Sequence, residues 1–194
     1  MQELHSLLQL LLMLGSDVRI VVLFALLLAA AVTDYRSYRI PNALTLYGAL
    51  FALACNTFTA AAPWSALGWS AAGLAVGFFM LLPFYAIGVM GAGDVKLMAM
   101  AGAFIGLPGI LYASVGTFIT GGLLALAIIL WRRVFTRTLG NIRMMFQAVA
   151  FSALAGIRPD LRIETRKSVG KLPYGISIGL GTAGYIVAHQ LGYM

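Results

Sequence analysis

Residues 97–131 carry no charged side chain, and this apolar stretch constrains the fold more than any other feature of the sequence. With Asp94 and Lys96 at its start, the block would be about 57 Å long as a single helix. The hydrocarbon core of a membrane is only about 30 Å thick. The block is therefore predicted to be a helical hairpin, and "GLPG" at 106–109 is the obvious turn because Gly and Pro interrupt helices.

The composition is that of a membrane protein. Of the 194 residues, 61% are hydrophobic and 10% are charged, whereas about a quarter are charged in a typical soluble domain. Because backbone polar groups must be satisfied inside a bilayer, we predict one all-α integral membrane domain over residues 1–194. Hydropathy predicts a bundle of about six transmembrane helices. The predicted spans are about 18–33, 43–62, 65–89, 94–107, 110–131 and 172–189.

The positions of the basic residues set the expected orientation. Nine of the thirteen Lys and Arg lie in a loop over residues 132–171, and Arg36, Arg39 and Lys96 fall on the same side of the predicted bundle. The positive-inside rule makes this side cytoplasmic, so we expect a multi-pass inner-membrane protein with both termini outside. The apolar middle of the loop, 142–157, is predicted to lie on anionic headgroups rather than to cross the membrane.

The net charge of +7 requires no nucleic-acid partner, because attraction to the membrane surface explains it. Metal chemistry is not indicated either. Cys55 is the only cysteine, so no CxxC zinc pair can form within the chain. His5 and His189 lie near opposite ends and far from any acidic cluster. We therefore expect no metal site and no cofactor.

Of the four aspartates, only Asp34 and Asp94 lie where an apolar span meets the cytoplasmic side. Asp34 ends the first predicted span and Asp94 opens the fourth. Two spans separate them, so the chain returns both to the same face of the membrane. Simpler explanations stay open: Asp94 as a helix N-cap, and Asp34 as a surface residue beside Arg36. Ionisable residues inside membranes nevertheless indicate function, and a facing pair strengthens that inference.

Two facing carboxylates are suited to hydrolysing a peptide bond. They share one proton, so the charged member takes a proton from water while the neutral member donates to a carbonyl oxygen. Gly91 and Gly93 lack side chains, which lets a substrate backbone lie beside Asp94 or simply forms a turn. Lys96 points away from Asp94 and is expected to reach the headgroups, with a minor electrostatic influence as the alternative.

Three segments resemble the motifs of the type IV prepilin peptidases, which are GxGD-type intramembrane aspartic proteases. "GAGDVKL" matches their G-x-G-D-x-K-L motif. "TDYRSYRIPN" resembles the motif that follows their first span, and "KLPYGISIGLG" resembles the start of their last span. The resemblance implies a six-span fold with Asp34 and Asp94 as the catalytic pair. It also implies cleavage of short basic leader peptides from prepilin-like proteins at the cytoplasmic face, usually after a glycine.

The resemblance further implies structural or substrate-shaping roles at two other sites, although ordinary helix starts would also explain these residues. They are Pro41, Asn42, Pro173, Tyr174 and Gly175. One departure is clear: larger members of the family carry a cytoplasmic insertion with two CxxC pairs, linked to zinc and to N-methylation, and this chain has no room for it. The compact form resembles the peptidases of Flp/tight-adherence systems, and archaeal-type preflagellin peptidases are also compact.

Two other classes of protein remain as alternatives. A proton-coupled transporter also uses intramembrane acids, but internal repeats and acids near the midplane would be expected of it. A non-enzymatic membrane subunit of a pilus or secretion assembly would use the basic loop for docking and the two aspartates as caps. The loop itself is expected to bind anionic lipid, with acidic residues of a substrate as the alternative.

Overall fold

A computed structural model describes residues 17–131 and 173–192 of the chain. These two ranges form helices and contain no strand, as the composition predicts. The basic loop, including the helix expected at 142–157, lies outside the described residues. The five helices are α1 (Val18–Ser37), α2 (Asn42–Thr59), α3 (Pro63–Ala86), α4 (Ala92–Trp131) and α5 (Tyr174–Gln190).

Three of these helices, α1, α3 and α4, are long and apolar enough to cross a membrane. The structure thus supports a helical membrane protein, but it does not reproduce the expected count of six spans. The helix α5 has only 17 residues. The helix α2 has 18 residues, and its apolar character is diluted by Asn42 and Asn56. The fourth and fifth predicted spans fall within the single 40-residue segment α4.

The segment α4 is broken at Gly106, the first residue of the predicted turn. Its φ of 71° and ψ of −177° are not helical and belong to a region that essentially only glycine adopts. The break leaves the Ala103 carbonyl near a helix end, where an intrahelical partner is missing. Asn56 and Ser70 both donate to that carbonyl, the former over 3.0 Å. Two neighbouring helices therefore cap the first half of α4.

Packing shows that the chain reverses direction at this break. Along α3, Gly73 faces Gly102 and Gly77 faces Met98, so the first half of α4 runs antiparallel to α3. The second half runs antiparallel to α5. The contacting positions there are Gly109 with Tyr185, Gly116 with Gly181, and Gly121 with Ser177. A Cβ at Gly102 would also lie 3.2 Å from Ile110 Cγ1, whereas residues eight apart in one straight helix are separated by about 12 Å. The second half therefore folds back beside the first at the predicted turn, without a separate loop.

The first half of α4 is the centre of the bundle. It is buried on almost every side, as expected of a helix that is apolar all round. The helices α1, α2, α3 and α5 all contact α4. Large apolar side chains such as Leu28, Phe58 and Phe79 cover the outside and are 68%, 86% and 64% exposed. That distribution suits a surrounding solvent of lipid rather than water.

A second polar network lies at the opposite end of α1 from Asp34. Asp17 caps the helix by accepting from the Arg19 amide over 3.0 Å. The guanidinium of Arg19 donates to Asp17 over 2.8 Å and to Asn56 over 3.2 Å. Arg19 is the one Lys or Arg of the thirteen that does not fall on the side predicted to be cytoplasmic. The network therefore links the start of α1 to the cap of the α4 break.

Gly106→Ala tests whether the reversal depends on glycine. An alanine there would adopt an unfavourable conformation and overlap the Trp69 ring, so we expect a loss of about 1–3 kcal/mol or more. Thermal unfolding in detergent should show a melting temperature several degrees lower. Gly122→Ala is the matched control, because the space around Gly122 in the same segment is open. Equal melting temperatures for the two variants would contradict this account of the turn.

Candidate active site

Asp34 lies in the last turn of α1 and is only 6% exposed. A carboxylate near the C-terminal end of a helix is disfavoured by the dipole of that helix. The structure supplies the compensation from another element: the Gly175 amide donates to Asp34 Oδ2 over 2.8 Å. Gly175 is the second residue of α5, so the positive end of α5 faces the Asp34 carboxylate.

The approach of α5 to Asp34 requires a residue without a side chain. A Cβ at Gly175 would lie 3.0 Å from Asp34 Oδ2 and 3.1 Å from Asp34 Cβ. Pro173 precedes the helix as its N-cap residue, and Tyr174 is its half-buried first residue. The "KLPYGISIGLG" segment thus acts at the site through the Gly175 backbone. The sequence pattern indicated the position but not this bond.

Asp94 is the third residue of α4 and is 8% exposed. It is not the N-cap that the sequence allowed. Its Oδ2 instead reaches back to accept from the Gly91 amide over 2.9 Å, while its own amide donates to the Gly91 carbonyl over 3.1 Å. An acidic side chain at this position commonly satisfies a free amide at a helix start. Asp94 is therefore fixed by the loop that precedes it.

Both carboxylates line one cleft of about 470 Å³. Each accepts a backbone amide through its Oδ2 atom, and within the described part of the chain neither forms an ion pair or bonds the other. The remaining residues of the lining come from the end of α1, the start of α2 and the loop before α4. They are Thr33, Ser37, Tyr38, Arg39, Ile40, Pro41, Asn42, Gly91, Ala92 and Gly93.

The two walls of this cleft are joined by one side-chain bond. Lys96 Nζ donates to Asn42 Oδ1 over 2.9 Å, which connects α4 to the first residue of α2. The exposed Lys96 side chain contacts Asn42 in the structure, and its expected contact with the headgroups stays a prediction. Beside this bond, a Cβ at Gly93 would lie 3.1 Å from Ile40 Cβ. Gly93 therefore permits close packing of the walls, as well as forming the turn.

Sequence reasoning missed several residues of the cleft. Tyr38 follows the last residue of α1 and has a φ of 50°, which is uncommon for any residue other than glycine. Nothing in its sequence context predicts this conformation. In the sequence Ile40 is one more apolar residue, yet it lines the cleft. Among residues 17–131 and 173–192, no three side chains of the types that bind metals form a group.

Gly175→Ala tests the bond that fixes Asp34. The added methyl group would push α5 away from the carboxylate, so we expect leader cleavage, the activity implied by the motifs, to fall at least about tenfold. Gly184→Ala is the matched control, since Gly184 lies in the same helix and has open space around it. Cleavage would be measured by mass spectrometry on purified variants of equal thermal stability. Similar rates for both variants would show that the close approach is unimportant.

Lys96→Met tests the bond between the walls. The change keeps the apolar stem but removes the donor to Asn42, so we expect cleavage to slow about tenfold because the cleft widens. Lys96→Arg should retain part of the rate. Arg36→Met removes a cation from the same side at an exposed position outside the lining, and it should leave the rate unchanged. The idea fails if Lys96→Met and Arg36→Met have the same effect.

Comparison with known proteins agrees with the motifs. Residues 21–126 match the family model described as the Type IV leader peptidase family. The matched range is more than half of the 194 residues and contains both Asp34 and Asp94. Among curated proteins and among solved structures, no significant match is found. The chain belongs to the Type IV leader peptidase family.

Proposed function

We propose that Asp34 and Asp94 are the catalytic pair of a membrane-embedded aspartic endopeptidase. Membership of the family indicates a protease and implies prepilin substrates. The observation that carries the proposal is the shared cleft, in which two nearly buried carboxylates each keep one oxygen free of the backbone amides. Buried acids within a membrane protein are costly and mark functional sites by default. The substrate is the leader peptide of a prepilin-like protein.

The reaction uses the free Oδ1 atoms. One carboxylate is charged and removes a proton from a water molecule, whose oxygen attacks the scissile carbonyl carbon. The other carboxyl is protonated and donates to the carbonyl oxygen, giving a tetrahedral intermediate. Collapse of the intermediate breaks the C–N bond as the carboxyl that took the water proton donates it to the leaving amine, while the other carboxylate recovers its proton from a hydroxyl of the intermediate. The Gly91 and Gly175 amides hold the two side chains in place during these steps.

The proposal places the cleft at the cytoplasmic face of the inner membrane. In this topology α2 and α5 also cross the bilayer and α4 crosses twice, which makes six crossings with both termini outside. The support is the excess of Lys and Arg on the side that carries Asp34 and Asp94. The basic loop over 132–171 then lies beside anionic headgroups. A leader that has not been exported would meet the cleft from this side.

Single substitutions at the two aspartates provide the test. Asp34→Asn and Asp94→Asn should each lower leader cleavage by about 10²–10⁴-fold or more, because each removes one proton-transfer group. Asp17→Asn is the matched control: it changes an aspartate at the other end of α1 and should leave cleavage intact. Purified protein in lipid would be incubated with leader-bearing prepilins and the products read by mass spectrometry.

The same variants separate the alternative classes. A proton-coupled transporter would show altered flux and no cleavage by the parent protein. A non-enzymatic assembly subunit would show no cleavage and little effect of either substitution. Undiminished cleavage by Asp34→Asn or Asp94→Asn would exclude the proposed mechanism.

We further propose that the protein does not N-methylate the trimmed substrate. The support is that α2 begins at Asn42, the last residue of "RIPN", which leaves no room there for an insertion with CxxC pairs. Purified protein given a cleavable prepilin and a methyl donor should release an unmethylated product. An added mass of one methyl group on the new N-terminus would contradict this proposal.

A further inference from the structure

One wall of the cleft is a short non-helical segment between α1 and α2. Tyr38 turns the chain out of α1, and Pro41 continues it into α2 with a φ of −61° and a ψ of 130°. Arg39 and Ile40 lie between them and belong to neither helix. All four residues line the same cleft as Asp34 and Asp94. The Ile40 side chain belongs to the hydrophobic core, so a molecule in the cleft can meet this residue through its backbone.

The backbone of Ile40 is unpaired within the described part of the chain. Two nearby backbone groups are paired: the Tyr38 amide donates to the Asp34 carbonyl over 2.8 Å, and the Pro41 carbonyl accepts from the Thr45 amide. The Ile40 amide and carbonyl form no such bond there, although Ile40 is only 8% exposed. Buried backbone groups are almost always hydrogen-bonded, so this pair calls for a partner.

We propose that the amide and carbonyl of Ile40 pair with the main chain of an extended substrate peptide, as in a single bridge of a β-sheet. One residue of a strand offers its donor and its acceptor on the same side, so one substrate residue can satisfy both. This mode of binding gives affinity through backbone bonds and is independent of side-chain identity. It rests on the proposed function, because it requires that the cleft accepts a peptide.

Two neighbouring features fit this role and limit the register. A Cβ at Gly93 would lie 3.5 Å from the Ile40 nitrogen, so any side chain there would cover the amide. On the other flank, Pro41 has no amide to donate, and the Tyr38 amide is already used. These constraints favour Ile40 as the site of the bridge. A substrate bound there is held at one fixed position relative to the two aspartates.

The test uses substrates rather than protein variants, so folding does not complicate it. A prepilin peptide containing the leader and the first mature residues would be prepared with one amide at a time replaced by an ester, which removes the N–H. A single one of these replacements, at a position other than the scissile bond, should lower kcat/KM about five- to tenfold, mainly through KM. The other replacements should stay within about twofold. A flat profile would overturn the proposal.

Variants at residue 40 provide the complementary measurement. Ile40→Pro removes the amide and should raise KM about five- to tenfold more than Ile40→Val, which is similar in shape and keeps the amide. Equal KM values for the two variants would argue against pairing. A failure of the backbone bridge can be told apart from a failure of the proposed function. If the all-amide peptide is not cut at all, the peptidase assignment fails, whereas cleavage with a flat ester profile removes only the bridge.

Discussion

The bond from the Gly175 amide to Asp34 connects the first and last helices of the described bundle. Without it, a nearly buried carboxylate would sit at the unfavourable end of α1. The start of α5 compensates for the dipole of α1, because it presents the positive end of a second helix to the Asp34 carboxylate. Asp94 has the same kind of support from the Gly91 amide. Each acid is thus held by backbone, which leaves its second oxygen to the cleft.

The position of Asp94 depends in turn on the break at Gly106. From Asp94 to this break, the first half of α4 is shorter than a typical membrane-spanning helix of about 20 residues. Its far end is fixed by Asn56 and Ser70, which cap the Ala103 carbonyl. A short, capped and buried helix cannot slide easily along its neighbours. The turn at one end therefore contributes to the geometry of the cleft at the other.

The sequence predicts the helical class, the approximate helix bounds, the turn near 106–109 and the two aspartates, because each has a local signal. Hydrophobic runs, Gly and Pro, and acids at the ends of runs can all be read directly. The count of spans was less predictable, since α2 and α5 are short or partly polar and depend on their neighbours.

Contacts between distant segments were beyond sequence reasoning. Gly175 and Asp34 are 141 residues apart, and Lys96 and Asn42 are 54 apart. No local pattern predicts either bond, because both arise from how helices pack. The left-handed conformation of Tyr38 is similar, since most residues avoid it and no glycine marks the site. These are also the features that shape the cleft around the two acids.

The account depends most on Asp34 and Asp94 facing one another across the same water-accessible cleft. The direct measurement is chemical bridging in lipid of a cysteine pair at positions 34 and 94, on a Cys55→Ser background, with a short bifunctional methanethiosulfonate. The account predicts that the intact mass of the Asp34→Cys, Asp94→Cys variant will show one reagent molecule bound to both cysteines. It predicts no bridge for Asp17→Cys with Asp94→Cys, since about 25 Å of α1 separates residue 17 from residue 34. A mass that shows two reagent molecules, one on each of the cysteines at 34 and 94, would contradict the account.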